Sequence, residues 1–254
     1  MVLHVAARLA LGPLLYRQAV QIRRTAIELP VPQGERSGVA GAGKLRLRLL
    51  VAGDSSAAGV GARTQDEALA VPMAWRLSQR LGGRVRWQLV AESGLTSEGV
   101  LHKLMHGRVE PADVAVVICG VNDITKEQAF SFALRKRRQI AEWLRAHAGV
   151  RRVLFPALPE MEVFPAIPQP LAWYAGQAAR RNNRLQQRWA RDFDFIRHVT
   201  MDGLARPDLF CKDGFHPAPT LYARVAERLA EVIAVETLPR FERQSMDDPV
   251  EENA

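Results

Sequence analysis

The sequence is poor in cysteine and has no long apolar run. Its 254 residues include only two cysteines, Cys119 and Cys211, which are too few for a disulfide framework and show no metal-ligand spacing. Both are expected to be small buried residues in a reducing compartment, with a bridge between them as the alternative. Because no stretch of about 18 apolar residues occurs, no ordinary transmembrane helix is expected.

Motifs of several other enzyme classes are missing as well. There is no Gly-Lys-Ser/Thr sequence and no Gly-x-Gly-x-x-Gly turn, which argues against a nucleotide-binding loop. There is no Gly-x-Ser-x-Gly element, which argues against an ordinary α/β-hydrolase. His102 and His106 share one face of a predicted helix, but no Cys or carboxylate partner has a clear position. We therefore expect no metal and no cofactor.

The composition is that of a basic globular protein with one main domain. The formal net charge is +8, and 48% of the residues are hydrophobic, which is enough for one well-buried core. A basic surface of this kind is either simply solvated or attracts anionic lipid or an acidic partner. Aromatic residues make up 7% and do not interleave with the basic clusters, so nucleic-acid binding is not expected. The sequence carries no signal for an oligomeric state.

Composition divides the chain into three parts. Residues 1–43 form an N-terminal arm, in which the glycines and prolines of residues 30–43 are typical of a linker. Residues 44–240 form the main domain, and residues 241–254 an acidic tail expected to be disordered. The arm starts apolar and continues with arginines, so it is interpreted as a helix packed on the domain or as a peripheral membrane anchor. The chain is accordingly expected in the cytoplasm or at a membrane surface.

Strand and helix patterns alternate through the main domain. Residues 114–119 are continuously apolar, as expected for a strand that is buried on both faces. The alternation predicts a three-layer α/β/α sandwich with a central parallel sheet of about five strands. The predicted strands are residues 45–52, 85–90, 114–119, 153–158 and 193–199.

Polar residues follow the first and third predicted strands and precede the last predicted helix. Ser55 follows the first strand, Asn122 follows the third, and Asp213 and His216 precede the helix. Because ligands of open α/β sheets bind at the carboxyl ends of the strands, we expect these groups to meet. A serine needs an adjacent base to act as a nucleophile. His216 is the candidate base, Asp213 would fix its tautomer, and Asn122 would donate to a developing oxyanion.

These segments resemble the sequence blocks of the SGNH hydrolases, also called GDSL esterases and lipases. The matching residues occur in the family's order: Gly53-Asp54-Ser55, Gly94, Gly120-Val121-Asn122-Asp123, and Asp213 with His216. The resemblance implies the SGNH hydrolase (flavodoxin-like) fold with Ser55, Asp213 and His216 as catalytic residues. It also implies an oxyanion hole made of the N–H groups of Ser55 and Gly94 and the side chain of Asn122.

The implied activity is that of a serine esterase acting through an acyl-enzyme on a small-molecule ester, with short- to medium-chain acyl esters favoured. The alternatives are an acyl-thioesterase or lysophospholipase and a carbohydrate deacetylase. A rival of a different class is a non-catalytic module that binds lipid or glycan. Asp54 and Asp123 flank the implied site and are expected to hold its loops by hydrogen bonds rather than to transfer protons.

A proline-rich segment after the fourth predicted strand is the candidate for substrate contacts. Residues 159–170 and the start of the predicted helix that follows are too apolar for an ordinary loop. The segment is predicted either to cover an acyl chain as a flexible lid or to pack on the core. The candidate substrate-binding residues are Met161, Phe164, Ile167 and Trp173.

Overall fold

The structure is a computed structural model that describes residues 2–237, with side chains described for residues 11–235. The acidic tail predicted for residues 241–254 lies outside the described residues. Eight α-helices are found in the described part: α1 Val2–Thr25, α2 Ser55–Ala58, α3 Ala70–Leu81, α4 Ser97–His106, α5 Val121–Thr125, α6 Phe130–Ala148, α7 Leu171–Ala190 and α8 Pro219–Val232. Within this part of the chain, no helix is both long and apolar enough to cross a membrane.

A six-stranded sheet forms the centre of the domain. Its strands are β1 Ser37–Ala40, β2 Leu45–Gly53, β3 Arg84–Ala91, β4 Val114–Ile118, β5 Arg152–Pro156 and β6 Ile196–Val199. They lie in the order β1-β3-β2-β4-β5-β6, and all neighbours are parallel except β1 and β3. The five strands predicted from the sequence are therefore confirmed, and they form the parallel part of the sheet.

The sixth strand corrects the expected linker over residues 30–43. Residues Ser37–Ala40 pair with β3 in antiparallel register, from Ser37 opposite Gln88 to Ala40 opposite Val85. A Cβ on Gly38 would lie 3.2 Å from the indole nitrogen of Trp87, so a residue without a side chain suits this close contact. The glycines that are typical of a linker in the sequence serve here to bring an edge strand close to its neighbour.

Helices cover both faces of the sheet and complete the predicted three-layer sandwich. Successive side chains of a strand point to opposite faces of the sheet. Leu49 and Val51 of β2 therefore join one core cluster, while Leu50 joins the other. Helices α3 and α8 fill the first cluster, and α4 and α6 fill the second. Parallel strands in such a sandwich bring their carboxyl ends to one edge, so the loops after β2, β3, β4 and β5 are neighbours there.

Candidate active site

Ser55 lies at the start of α2, directly after β2. The chain turns sharply at Gly53, whose φ is +151°, and a Cβ there would lie 2.0 Å from the carbonyl oxygen of Ile118. Only glycine fits this position without displacing the neighbouring strand. Asp54 then caps α2, because its carboxylate accepts from Ser56 N at 3.0 Å. The turn leaves Ser55 only 7% exposed.

A tight turn before α8 holds Asp213 and His216 against each other. Asp213 Oδ1 accepts from Phe215 N at 3.0 Å and from His216 N at 3.1 Å. Gly214 has φ +63° at the centre of this turn, and a Cβ on it would lie 2.7 Å from Ala166 N. These two backbone N–H groups bond to Oδ1, so Asp213 Oδ2 remains free to accept a hydrogen bond from the imidazole of His216.

The three side chains that the resemblance implies as catalytic form a continuous chain of contacts. His216 Nε2 lies 3.0 Å from Ser55 Oγ, and His216 Nδ1 lies 2.6 Å from Asp213 Oδ2. The carboxylate therefore favours a proton on Nδ1 and leaves the Nε2 lone pair facing the hydroxyl. Ser55 and His216 are 161 residues apart in sequence, so the fold alone brings them together.

Gly61, three residues after α2, lets the loops that carry Ser55 and His216 approach each other. A Cβ on Gly61 would lie 2.4 Å from Pro217 O and 2.9 Å from Cys211 Sγ. The Cys211 thiol donates to Gly61 O at 3.2 Å and so helps join the two loops. Cys211 and Cys119 are both free, which excludes the bridge kept as an alternative. Burial raises the pKa of the Cys119 thiol to about 11.

Asn122 lies near the serine and faces the same cavity. Its Nδ2 donates to Leu95 O at 3.0 Å, which fixes the amide group and leaves its second N–H for another acceptor. Gly94 lies in the neighbouring turn after β3 with φ +78°, and its carbonyl accepts from Lys126 Nζ at 2.8 Å. Asn122 lines the cavity, whereas Gly94 does not; Gly94 directly precedes Leu95, whose carbonyl holds the Asn122 amide.

The two aspartates beside these groups have holding roles, as expected. Asp123 accepts from Ser97 N at 2.9 Å and from Ser97 Oγ at 2.6 Å, and it pairs with Arg137 Nη2 at 3.2 Å. Arg137 is completely buried and also contacts Gln186. Burial raises the pKa of Asp54 to about 7, although backbone N–H donors at α2 partly oppose the change. Sequence patterns alone gave no sign of Arg137, which lies in the middle of a long basic helix.

A cavity of about 270 Å³ opens beside Ser55. Of the four candidate substrate-binding residues, only Phe164 lines it. Met161 is buried in the cluster beneath, Ile167 packs against that cluster, and Trp173 is partly exposed on α7. The loop after β5 is therefore packed on the core at these positions. The apolar lining that the sequence did not indicate comes from Leu158 at the start of the loop after β5, and from later loops and α8: Met201, Leu204, Phe210, Leu221 and Val225.

Comparison with known proteins agrees with this geometry. Residues 51–224 match the model of the GDSL-like lipase/acylhydrolase family. A GDSL-like esterase of Mycobacterium tuberculosis is 30% identical over 192 residues, which cover 72% of this chain and 60% of that relative. The matched region thus spans less than two thirds of the relative's length.

Solved structures share the fold at low sequence identity. A lipase from a goat rumen metagenome has a TM-score of 0.59 and 22% identity, over 73% of this chain and 97% of that one. A carbohydrate acetylesterase of Sinorhizobium meliloti has a TM-score of 0.58 and 17% identity, over 74% and 99%. With the family match extending over most of the chain, the protein belongs to the GDSL-like lipase/acylhydrolase family of SGNH hydrolases.

Proposed function

We propose that the protein is a serine-dependent carboxylic ester hydrolase with Ser55 as nucleophile. One observation carries the proposal: Ser55 Oγ and His216 Nε2 are 3.0 Å apart at the mouth of an apolar cavity, and Asp213 holds the far side of the imidazole. A non-catalytic lipid- or glycan-binding module would have no need for this alignment. The membership of the chain in an acylhydrolase family supports the same activity.

The proposed reaction assigns a group to each step. His216 Nε2 removes the hydroxyl proton as Ser55 Oγ attacks the ester carbonyl carbon, and Asp213 stabilises the imidazolium that forms. The tetrahedral intermediate then collapses, and His216 gives the proton to the leaving alcohol oxygen. Water enters, loses a proton to the same nitrogen and attacks the acyl-enzyme. The second collapse releases the carboxylic acid and restores the serine hydroxyl.

Stabilisation of the oxyanion is assigned to Ser55 N–H, Gly94 N–H and the side chain of Asn122. The support is strongest for Asn122, because the bond to Leu95 O fixes its amide in advance of the reaction. Preorganised donors of this kind commonly contribute a factor of about 10² to 10³ to turnover. Ser55 N–H is supported by its position at the start of α2. Gly94 is supported by the family resemblance and by its place next to Leu95.

We assign short- to medium-chain acyl esters as substrates. Apolar side chains dominate the cavity beside Ser55, and Phe164, Phe210 and Leu158 suit an acyl chain better than a sugar. The cavity volume of about 270 Å³ lies near the lower end of ordinary ligand pockets, which favours a single chain of limited length.

The test is a panel of p-nitrophenyl esters of increasing acyl length, with an acyl thioester, a lysophospholipid and an acetylated sugar beside them. We expect turnover of the esters with an optimum at short to medium length, and loss of nearly all turnover in Ser55→Ala. Ser56→Ala is the matched control, since it removes the neighbouring hydroxyl and should retain activity. Full activity in Ser55→Ala would refute the assignment of the nucleophile. A preference for the acetylated sugar would replace the acyl-ester assignment.

A further inference from the structure

The N-terminal arm is tied to loops at the carboxyl edge of the sheet. In α1, the side chain of Gln18 donates to Gln169 O at 2.7 Å and accepts from Leu171 N at 3.2 Å, so it holds the end of the loop that follows β5. Five residues later in the same helix, Arg23 Nη2 donates to Thr125 O at 2.9 Å. Thr125 ends α5, the helix after β4 that carries Asn122.

The arm then reaches the loop that follows Ser55. Gln33 N donates to Arg63 O at 3.1 Å, and Gln33 O accepts from Gln65 N at 2.8 Å. In the sheet, β2, β4 and β5 are consecutive neighbours, so the arm is attached to the segments that follow three adjacent strands. Residues 11–33 therefore form a strap on the edge of the sheet where the strands have their carboxyl ends, which is also the edge that carries Ser55. We call this segment the rim strap.

The rim strap carries an unusual share of exposed apolar side chains. Its attached side includes Leu15, which is only 6% exposed, whereas Leu14 is 44% exposed and Tyr16 is 71% exposed. Ile27 and Val31, farther along, are 48% and 47% exposed. Four of the nine large apolar side chains exposed in the described part of the chain thus lie on these 23 residues. Exposed apolar side chains concentrated on one short segment are typical of an interaction surface.

The charges on the rim strap are mainly positive. Arg17, Arg23 and Arg24 are exposed, and Glu28 is the one acidic residue among residues 11–33. Lys126, also exposed, belongs to the same edge because its ammonium group donates to Gly94 O beside the active site. Exposed aliphatic and aromatic side chains between arginines are complementary to an anionic lipid surface, where the apolar groups enter the interface and the guanidinium groups meet the headgroups.

We propose that the rim strap docks on an anionic membrane surface and thereby turns the mouth of the Ser55 cavity toward the bilayer. This inference rests on the proposed esterase function, and it specifies the substrates as acyl esters that reside in or at a membrane. Because the strap is bonded to loops at the same edge of the sheet as Ser55, a docked enzyme receives a lipid ester without passing it through water. The attachments made by Gln18, Arg23 and Gln33 keep the docking surface and the cavity in a fixed relation.

The experiment is co-sedimentation of the full chain with vesicles of phosphatidylcholine alone and of phosphatidylcholine mixed with phosphatidylglycerol. The test variant carries Arg17→Glu and Arg24→Glu, which leave the attaching residues intact. The matched control carries Arg188→Glu and Arg191→Glu, the same charge change on exposed residues at the far end of α7. A second test variant, Tyr16→Ser, removes an exposed aromatic ring without changing the charge.

We expect the wild type and the control to sediment with the anionic vesicles, and the double arginine variant to bind at least about tenfold more weakly. Tyr16→Ser should also bind more weakly. Failure of the wild type to sediment with anionic vesicles would overturn the proposal. Equal binding of both vesicle types, or equal binding by the test and control variants, would do so as well. Turnover of a water-soluble p-nitrophenyl ester by the wild type is measured alongside, and its absence would count against the proposed function rather than against docking.

Discussion

Removal of the buried charge of Arg137 is expected to cost much of the stability of the domain. The side chain is 0% exposed, and its guanidinium donates to Asp123 Oδ2 and to Ser97 Oγ, each at 3.2 Å, as well as to Gln186. An Arg137→Met substitution keeps much of the apolar stem but leaves the Asp123 side chain, only 3% exposed, without its cation. Breaking a buried ion pair on one side costs about 3–5 kcal/mol.

The assay is urea denaturation followed by circular dichroism, with the free energy of unfolding compared between variants. A control lies at the next position of the same helix, because Arg138 pairs with Glu142 at 2.7 Å and both are exposed. Arg138→Met should cost about 0.5 kcal/mol or less. The double variant Arg137→Met with Asp123→Asn should lose less stability than the sum of the two single variants. The reason is that Asp123→Asn removes the carboxylate charge that Arg137→Met leaves unpaired. An Arg137→Met variant within about 1 kcal/mol of the wild type would refute this reasoning.

Three further expectations concern pH and substrate choice. Asp54, with its pKa raised by burial to about 7, stays protonated in the fold at pH values where the unfolded chain ionises it. The free energy of unfolding should therefore fall as pH rises from about 4 to 7, and Asp54→Asn should flatten this part of the profile. His198, whose pKa burial lowers to about 4, stays neutral while the unfolded chain protonates, so stability should fall as pH drops from about 6.5 to 4, and His198→Asn should reduce that slope in thermal melts. Phe164→Ala should enlarge the cavity and move the ester optimum to longer acyl chains, and an unchanged optimum would remove Phe164 from the acyl site.

The parallel part of the fold could be predicted because each of its strands is an apolar segment between turn residues. β1 could not be predicted, because glycines such as Gly38 and Gly41 are equally typical of a flexible linker and of an edge strand that lies close to its neighbour. Thr64 and Glu67 match a capping box, yet Thr64 makes no side-chain cap and α3 begins only at Ala70. The Glu67 carboxylate instead accepts a hydrogen bond from the Arg63 side chain. The capping-box pattern considers only the spacing of Thr64 and Glu67 and therefore misses this partner.

For the site, the serine, the asparagine and the Asp-x-x-His pair could be identified from their positions relative to the predicted strands and from the family resemblance. The structure brings these groups to one edge of the sheet. The apolar wall of the cavity could not be predicted in the same way, because its residues come from separate loops with no periodic pattern. Met161 illustrates the difficulty: it is apolar and lies in the right segment, but it is buried beneath the cavity rather than lining it. The buried position of Arg137 could not be predicted for a similar reason. The sequence does not distinguish Arg137 from Arg135 and Arg138, and only the packing of α6 shows which of them is buried.

The most direct test of the account is the site of labelling by a fluorophosphonate, located by mass spectrometry of the digested protein. Such a probe reacts only with a serine whose hydroxyl is activated by a neighbouring base. We expect one labelled serine, Ser55, and a strong loss of labelling in His216→Gln. A label on another serine, or full labelling of Ser55 in His216→Gln, would contradict the proposed catalytic arrangement.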